Sequence, residues 1–590
     1  MPAAKINAFG GMIPAIDDRL LPDQQAAFAE NVWLYSGAAI GLRSPSYICD
    51  LTAGTQMVYR IPNNYTDSIH LSDAVFMEFA NIDTVVLRAP IVGDTYDRYY
   101  WSVPGSAPRY NTAARIRSSS ASYLLGIPTP VTAPTVTPSG GSAVNVTRAY
   151  VYTWVSTFGE EGPPSPPTTA TGRQDGTWAL GLTAPTGSDT TDRTLATVRI
   201  YRTITSSAGV ASYFFVAEQS IATTTYSDTK TDTVVAGQGK LESTNWTAPP
   251  SDLQGWVSMP NGMIVGWREN ELWFSEPYRP HAWPASYAQA VEYSIVGLGV
   301  TNQTVVICTA GYPLAATGNH PDAMTLAKLA SLEPCTSRGS IVSTLEGVYY
   351  SSPNGLVLAS NGVVSNVSSA GMTRDQWLKY VPTSTLRAAR VGQAYYAWGS
   401  SRPGVFDTAF KTDAFAQEDF TGAYHGIMAD LQDRRVSLTT LRGEDPVAAV
   451  LQDPWTNELL LIRGDKLYWL DFTEDEPEYE AYIWRTKVYQ TNKKENVGAI
   501  RVYFTVPSTT PTQATTRNTD AVQELAGDQY GLIRAFADGA LVMTRELRTS
   551  GELMRLPSGF KSEFWQFEIE ARVQLLSFQF APTPKELASV

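Results

Sequence analysis

The densest group of chemically capable side chains lies in the stretch DFTEDEPEYE, where six carboxylates fall within ten residues. Carboxylates this close together can bind calcium, or two of them can act as the acid and base of a glycosidase. The stretch lacks the spacing and the glycine of an EF-hand, and only separation in space decides whether two carboxylates form a glycosidase pair. An exposed charged loop and a ring of negative charge repeated by oligomeric symmetry are two further interpretations. The carboxylates are Asp471, Glu474, Asp475, Glu476, Glu478 and Glu480.

A second candidate lies near the N-terminus in FGGMIPAIDDRLLPDQQAAFAENVW (Phe9–Trp33, hereafter the N-terminal segment). Its glycine pair and its charged triplet Asp17–Arg19 would suit either a catalytic loop or an arm that pins the chain. Because no histidine, metal ligand or phosphate loop accompanies the triplet, we expect a turn or a local salt-bridge cluster there. Proline is tolerated at the first helical position, so Pro22 predicts a short helix through PDQQAAFAENV, followed by the strand VWLYSG.

The other residues that could support catalysis form no recognisable set. The four histidines, His70, His281, His320 and His425, show no metal-ligand spacing, and there is no HExxH, G-x-S-x-G, Walker or G-x-G-x-x-G motif. A Ser-His-Asp triad is spatial, so counting residues cannot test it. We expect the histidines to pack or to lie on the surface, and we expect no catalytic residue, no metal site and no cofactor.

Two short charged motifs have simple structural interpretations. The turn GEEGPP, with Glu160 and Glu161, predicts a solvated loop. The tripeptide Arg463–Asp465 spells an adhesion motif, but glycine and aspartate are also the residues that a hairpin turn needs. We expect a turn in both places.

Composition narrows the class of protein. The chain has 590 residues, 43% hydrophobic and 11% aromatic, which predicts several folded domains. No apolar run is long enough for a membrane helix, and MPAAKINAFGG lacks a signal-peptide core, so we expect folding in the cytoplasm. Three distant cysteines predict reduced, mostly buried thiols. The net charge of −13 disfavours tight DNA wrapping but allows a duplex to slide past.

The elements that would position these residues are mostly strands. Residues 126–248 begin with a Pro/Thr/Ser linker and continue with short alternating strands that resemble a fibronectin type III-like sandwich. Residues 249–480 contain hairpins with wet turns, typical of propeller blades, with stacked sandwiches as the alternative. Residues 1–125 would form an arm, a short helix and a β-rich platform. Residues 481–590 would form a further β segment, a candidate to close the propeller or a sheet.

We therefore expect a mainly β fold with a central β-propeller, a sandwich module and very little helix. The one further helix predicted is TRDQWLKY, where Thr373 and Gln376 have the spacing of a capping box and Pro382 follows. In the last strand pattern, FWQFEIEARVQLLSFQF, alternate apolar residues would share one buried face. These residues are Trp565, Phe567, Ile569, Ala571, Val573 and Leu575.

Several sequence blocks also resemble one known family. The N-terminal segment with its continuation LYSGAAIGLRSP is similar to the N-terminus of the tail nozzle proteins (tail tubular protein B) of short-tailed bacteriophages. Further similar blocks occur in the same order along nearly the whole chain, whereas residues 508–528 and QDRRVSLTTLRGEDP show no such similarity. The further blocks are Ala89–Thr112, AYVYTWVSTFGEEGPPSPP, Gly262–Pro284, Glu333–Ser360, MTRDQWLKYVP and Leu553–Leu587.

The resemblance implies a structural, non-enzymatic role in the virion tail, for a chain synthesised in the host cytoplasm. Such nozzles are hexamers with a β-propeller in each subunit, placed below the dodecameric adaptor (the head-to-tail connector). They retain the genomic double-stranded DNA before infection and conduct it during ejection, and they carry tail fibres or spikes. A transient contact with the host envelope is also compatible with this role. On this interpretation the acidic stretch 471–480 would be a lumen or gate loop that repels phosphates.

Two alternatives remain from the sequence. A carbohydrate-binding or glycan-hydrolysing β-propeller would use aromatic residues such as Trp273 and Trp283 to stack on sugar, although blade packing explains the same tryptophans. A receptor-binding tail spike would be a trimer with β-helical repeats, and the sequence shows no short β-helix period.

Overall fold

A computed structural model describes most of the chain. The described residues are 3–34, 37–63, 74–204, 212–392, 394–399, 424–430, 437–443, 447–470, 479–506, 530–559 and 561–589. Within them the predicted mainly β fold is confirmed, and no helix exceeds seven residues. None of the described helices is long and apolar enough to cross a membrane. The helices are α1 (Ala113–Arg117), α2 (Gly187–Asp192), α3 (Asp232–Ala236), α4 (Arg374–Tyr380) and α5 (Pro584–Leu587).

The chain divides into two compact units. Unit 1 comprises Met1–Ile82 and Ala330–Val590, and unit 2 comprises Asp83–Leu329. Unit 1 therefore contains both the first and the last part of the sequence. Its N-terminal strands are β1 (Ala4–Ile6), β2 (Phe28–Glu30), β3 (Val32–Trp33), β4 (Ile40–Gly41), β5 (Ser46–Asp50), β6 (Met57–Ile61) and β7 (Val75–Phe79).

Unit 2 is built from three four-stranded antiparallel meanders and a sandwich. The meander strands are β8 (Val85–Arg88), β9 (Arg98–Ser102), β10 (Arg109–Thr112) and β11 (Tyr123–Leu124), then β19 (Gln254–Ser258), β20 (Ile264–Arg268), β21 (Glu271–Phe274) and β22 (Gln289–Ala290), then β23 (Ile295–Thr301), β24 (Thr304–Thr309), β25 (Leu314–Thr317) and β26 (Thr325–Lys328). The first strands β8, β19 and β23 pack in succession, which is how neighbouring propeller blades meet.

The sandwich of unit 2 follows the first meander. Its sheets have the orders β12-β15-β18 and β14-β13-β16-β17 around one apolar core that includes the buried Trp178. From Tyr150 to Ser156 both faces of β13 are buried, and there Glu161 of the following turn accepts a hydrogen bond from Thr153 Oγ1 at 2.6 Å. The strands are β12 (Thr135–Ser139), β13 (Asn145–Ser156), β14 (Thr168–Arg173), β15 (Thr177–Gly181), β16 (Leu195–Thr203), β17 (Tyr213–Ser220) and β18 (Thr225–Asp228).

The C-terminal part of unit 1 adds three further meanders and the last sheets. The strands of the meanders are β27 (Val342–Ser343), β28 (Val348–Ser352), β29 (Gly355–Ser360), β30 (Val363–Asn366), β31 (Arg387–Val391), β32 (Ala394–Gly399), β33 (Tyr424–Asp430), β34 (Ser437–Gly443), β35 (Val447–Gln452), β36 (Leu459–Arg463) and β37 (Lys466–Leu470). The last strands are β38 (Tyr482–Arg485), β39 (Tyr489–Glu495), β40 (Ala499–Thr505), β41 (Gly531–Ala537), β42 (Ala540–Leu547), β43 (Leu553–Arg555), β44 (Ser562–Ala571) and β45 (Gln574–Ala581).

Strands from the N-terminus complete these C-terminal sheets. β5 is the fourth strand of the meander β35-β36-β37, β1 pairs with β45, and β2 lies between β34 and β38. The three residues of β2 thus join one blade to the C-terminal strands in a single ten-stranded sheet. The strands β1, β2 and β5 thus connect the N-terminus to three different parts of the C-terminal half of unit 1.

Local predictions in the C-terminal half can be compared directly with this structure. α4 has the predicted capping box between Thr373 and Gln376, and Arg463–Asp465 spans the β36–β37 turn. The last apolar pattern does not form one strand: β44 and β45 belong to different sheets, and the chain turns between them at 572–573. All six predicted core residues of that pattern are nevertheless buried, because both sheets contribute to one core.

Candidate functional site

The acidic stretch is the predicted site that the structure covers least. Of its six carboxylates only Glu480 lies in the described residues; Asp471, Glu474, Asp475, Glu476 and Glu478 lie outside them. Glu480 is half-buried, and its backbone N–H donates a 2.7 Å hydrogen bond to the carbonyl of Leu42, next to β4. The assignment of this stretch to a lumen or gate stays a prediction.

The N-terminal segment packs against strands from the C-terminal half of the chain. Phe9 makes an edge contact with Trp484 at 5.0 Å between ring centroids, and Trp484 Nε1 donates to the Gly10 carbonyl at 3.1 Å. A Cβ on Gly10 would lie 2.7 Å from the amide group of Gln25, so a larger residue there would require the Gln25 side chain to move. The backbone of Met12 donates to Leu438 at 2.8 Å, which holds the segment against β34.

The predicted helix at Pro22 is wrong. The residues after Pro22 form a turn, in which the Gln25 N–H bonds to the Pro22 carbonyl at 3.0 Å, and then enter β2. β2 pairs with β38 from Phe28 to Glu30. Ala26 and Ala29 are fully buried against the C-terminal strands. This long-range pairing outweighs the local helix preference of QQAAFAE, because helix propensity is a weak effect beside tertiary packing.

The charged triplet of the N-terminal segment forms the expected local ion pair. Arg19 Nε lies 2.9 Å from Asp17 Oδ1, with both side chains half exposed. This hydrogen bond holds the pKa of the Asp17 carboxyl below its ordinary value. Burial, helped by the neighbouring Asp17 charge, raises the pKa of Asp18. The Asp18 carbonyl also accepts a 3.0 Å hydrogen bond from Val488, so the triplet is tied to the C-terminal strands.

The prediction of a solvated loop at Glu160 and Glu161 is also wrong. Arg98 Nη1 lies 2.6 Å from Glu160 Oε1, and Arg98 Nε lies 3.0 Å from Asp94 Oδ2. Glu161 accepts hydrogen bonds from Tyr201 at 2.8 Å and from Thr153. The rigid prolines of GEEGPP and these cationic and hydroxyl partners explain how the turn can be buried.

This turn, together with Arg98 and His281, forms a junction between the sandwich and the blades of unit 2. His281 Nδ1 lies 3.7 Å from Glu160 Oε1, and the His281 ring makes an edge contact with Trp246. Burial, with further repulsion from Arg279 and Arg98, lowers the pKa of His281 to about 3. Burial also raises the pKa of Glu160. The junction is therefore a buried structural contact, and its histidine is neutral at neutral pH.

We expect Glu160→Gln to destabilise unit 2 by about 2 kcal/mol. The change leaves the buried Arg98 charge with Asp94 as its remaining carboxylate partner in the junction. Hydrogen exchange of β9 in the full chain measures the effect. The matched control is Glu242→Gln, whose pair with Arg279 is exposed and 3.4 Å long, and it should change stability by less than about 0.5 kcal/mol. Equal effects of the two variants would contradict a stabilising role for the Arg98–Glu160 pair.

The remaining histidines lie apart from one another in the part of the chain that the structure describes. His320 is half exposed, with Nε2 3.9 Å from Glu276 Oε2; His425 lies in β33; and His70 lies outside the described residues. No group of three or more His, Cys, Asp or Glu in the described ranges is placed to hold a metal ion. Cys308 and Cys335 are buried free thiols, and Cys49 is a half-buried one.

The aromatic residues proposed for sugar stacking do not form a shared open platform. Trp283 is fully buried, donates from Nε1 to the Pro280 carbonyl at 2.7 Å, and packs 6.0 Å from Trp256. Trp273 is half-buried and donates from Nε1 to Glu271 at 3.2 Å. Packing of the β19–β22 meander accounts for Trp283.

An open surface cavity of about 480 Å³ lies beside the β41–β42 turn in unit 1. It is lined by Lys494, Asp538, Gly539, Glu563 and Phe564. The Asp538 carboxylate already accepts hydrogen bonds from Ser562 Oγ at 2.5 Å and from the Phe564 backbone at 3.2 Å. These bonds hold the pKa of Asp538 below its ordinary value and give this carboxylate a structural role.

Comparison with known proteins leaves the family unassigned. No family model matches the chain, and no curated protein sequence matches it. Among solved structures, BBS1N in complex with ARL6DN, soaked with lead, is 10% identical with a TM-score of 0.26, over 73% of this chain and 98% of that one. The Neurospora crassa Pan2 WD40 domain is 8% identical with a TM-score of 0.24, over 53% of this chain and 87% of that one. Similarities this low carry no argument about function.

Proposed function

We propose that the chain is a structural component of a bacteriophage tail. In this proposal six copies form the nozzle below the adaptor, which forms the distal DNA channel, retains the genome before infection and conducts it during ejection. Its outer surface attaches tail fibres. The protein works as a virion part without catalysis or cofactor.

The observation that carries the proposal is the structural use of the N-terminal segment. This segment is the most identifying part of the resemblance to tail nozzle proteins. In the structure it has a packing role: Trp484 donates a hydrogen bond to the Gly10 carbonyl, and β2 connects a blade to the C-terminal strands. The blade-type meanders in both units agree with the propeller that the resemblance implies. A lumen with net negative charge would let a duplex pass without holding it.

The proposal is tested by locating the protein in virions. Particles carrying a tagged copy of the chain should show density or label at the distal tail, with six-fold symmetry, in electron micrographs. Particles made without the protein should contain adaptor but release their DNA prematurely. A label on the capsid, or a trimeric label on lateral spikes, would refute the proposal.

A further inference from the structure

One stretch of unit 2 carries basic side chains and no acidic ones. Between Asp97 and Glu160 the sequence contains no Asp or Glu, although the whole chain has 57 acidic and 44 basic residues. The stretch contains five arginines: Arg98 and Arg148 pair with carboxylates from outside it, and the other three are Arg109, Arg115 and Arg117. The local charge is therefore opposite in sign to the net charge of −13.

Two of these arginines are held in place by neutral acceptors. Arg109 Nη1 donates to the carbonyl and the Oγ of Ser122 at 3.3 and 3.1 Å. Arg115 donates from Nε to Asn111 Oδ1 at 3.1 Å and from Nη2 to the Ala121 carbonyl at 2.8 Å. The guanidinium of Arg115 also lies 4.6 Å from the ring centroid of Tyr123. Neutral acceptors orient both groups and leave their positive charges uncompensated.

Acidic residues on the neighbouring elements interact with other arginines. Asp97, which precedes β9, pairs with Arg88 Nε at 2.9 Å. Asp189 and Asp192 of α2, which packs against β11, act electrostatically on Arg193. The charge of Arg109 and Arg115 is thus available to a ligand.

The loop between α1 and β11 adds hydroxyl donors beside these charges. Ser118 and Ser119 are exposed; the Ser118 hydroxyl donates to the Arg115 carbonyl at 3.1 Å, and its Oγ lies 2.9 Å from that of Ser120. Ser119 has a φ of 53°, which marks a tight turn. Arginine forks and serine hydroxyls are the groups that proteins use to contact nucleic-acid phosphates.

We propose that this surface, the arginine patch (Arg109, Arg115 and the loop 118–122), binds the phosphate backbone of double-stranded DNA. The choice of a duplex as ligand rests on the proposed function, in which DNA passes the protein. Because the rest of the chain is acidic, the contact is local, independent of sequence and sensitive to salt. It would guide a moving duplex without arresting it.

Binding of the purified full chain to a fluorescent random-sequence duplex of about 30 base pairs tests the proposal. Anisotropy titrations from about 20 to 200 mM salt should show weak binding for the natural chain. The double variant R109Q/R115Q should bind about ten-fold more weakly at low salt, and the slope of log K against log salt should fall by about 1.8, the value for two lost phosphate contacts. The variant R109K/R115K should keep the slope, because the charge remains.

The control R545Q/R548Q removes the same charge from β42 and the residues after it, in unit 1, and should bind DNA as the natural chain does. Equal loss in the control, no loss in R109Q/R115Q, or no binding by the natural chain at about 20 mM salt would overturn the proposal. If R109Q/R115Q kept DNA binding but lost binding to the adaptor, the proposal would be overturned in favour of an acidic protein partner for the arginine patch. Failure of the virion experiment would refute the tail assignment and leave a measured DNA contact intact.

Discussion

Asp453→Asn should destabilise unit 1 by about 3–5 kcal/mol, the cost of removing one partner of a buried ion pair. Arg60 on β6 and Asp453 at the end of β35 form an ion pair whose side chains are 0% and 1% exposed. Arg60 Nε donates to Asp453 Oδ1 at 2.9 Å, and Nη2 donates to Oδ2 at 2.5 Å. The asparagine would leave the guanidinium buried without its counter-charge, which costs far more than the lost hydrogen bond.

The same carboxylate also organises its own turn. Asp453 Oδ2 accepts hydrogen bonds from the backbone and the Oγ1 of Thr456 at 3.0 and 2.7 Å, and Trp455 Nε1 donates to the Arg60 carbonyl at 3.0 Å. An asparagine can keep the Thr456 contacts. The double variant R60M/D453N, which removes the stranded charge as well, should therefore recover most of the lost stability.

Thermal unfolding of the full chain, with hydrogen exchange of β6 and β35 as the local readout, measures these effects. The matched control is Glu546→Gln, which breaks the exposed pair with Arg548 and should change stability by less than about 0.5 kcal/mol. If the double variant is as unstable as D453N alone, the stranded charge is not the cause. If D453N matches the control, the pair contributes nothing to holding β6 against β35.

The structure of unit 1 shows which kind of inference a sequence supports. Turns such as Asn361–Gly362 and the capping box of α4 were predictable, because each depends on residues within a few positions of one another. The pairing of β5 with β37 and of β2 with β38 was not, because more than four hundred residues separate the partners. No periodicity in either partner specifies the other.

The burial of charged residues was equally hidden in the sequence. GEEGPP has the composition of a solvated turn, and its burial depends on partners distant in sequence such as Arg98 and Tyr201. The arginine patch, in contrast, leaves a visible sign in the sequence. Its acid-free stretch from residue 98 to 159 is visible in the sequence, but the fixing of Arg109 and Arg115 by neutral acceptors requires the fold. Charge distribution could have drawn attention to the region without identifying the two residues.

Acidification should weaken unit 2 through one identifiable residue. His281 takes up a proton near its ordinary pKa of 6.5 in the unfolded chain, whereas burial beside Arg98 and Arg279 lowers its folded pKa to about 3. Its contribution to stability is therefore complete above pH 6.5 and is lost as the pH falls toward 3, at about 1.4 kcal/mol per pH unit. At pH 5 the loss should be about 2 kcal/mol. The carboxylates of Glu160 and Glu161 face the same ring and oppose the loss only in part.

His281→Phe should remove this dependence while keeping the edge contact with Trp246. We expect stability curves measured by hydrogen exchange of β9 between pH 7 and 4 to fall more steeply with decreasing pH for the natural chain than for the variant. The difference between their slopes should approach one proton, because the other titrating groups are common to both chains. The control His320→Gln alters a half-exposed histidine and should leave the slope of the natural chain unchanged. Parallel curves for the natural chain and the phenylalanine variant would show that His281 is not the acid-sensitive group. The same pH series on E160Q would then test whether Glu160 is.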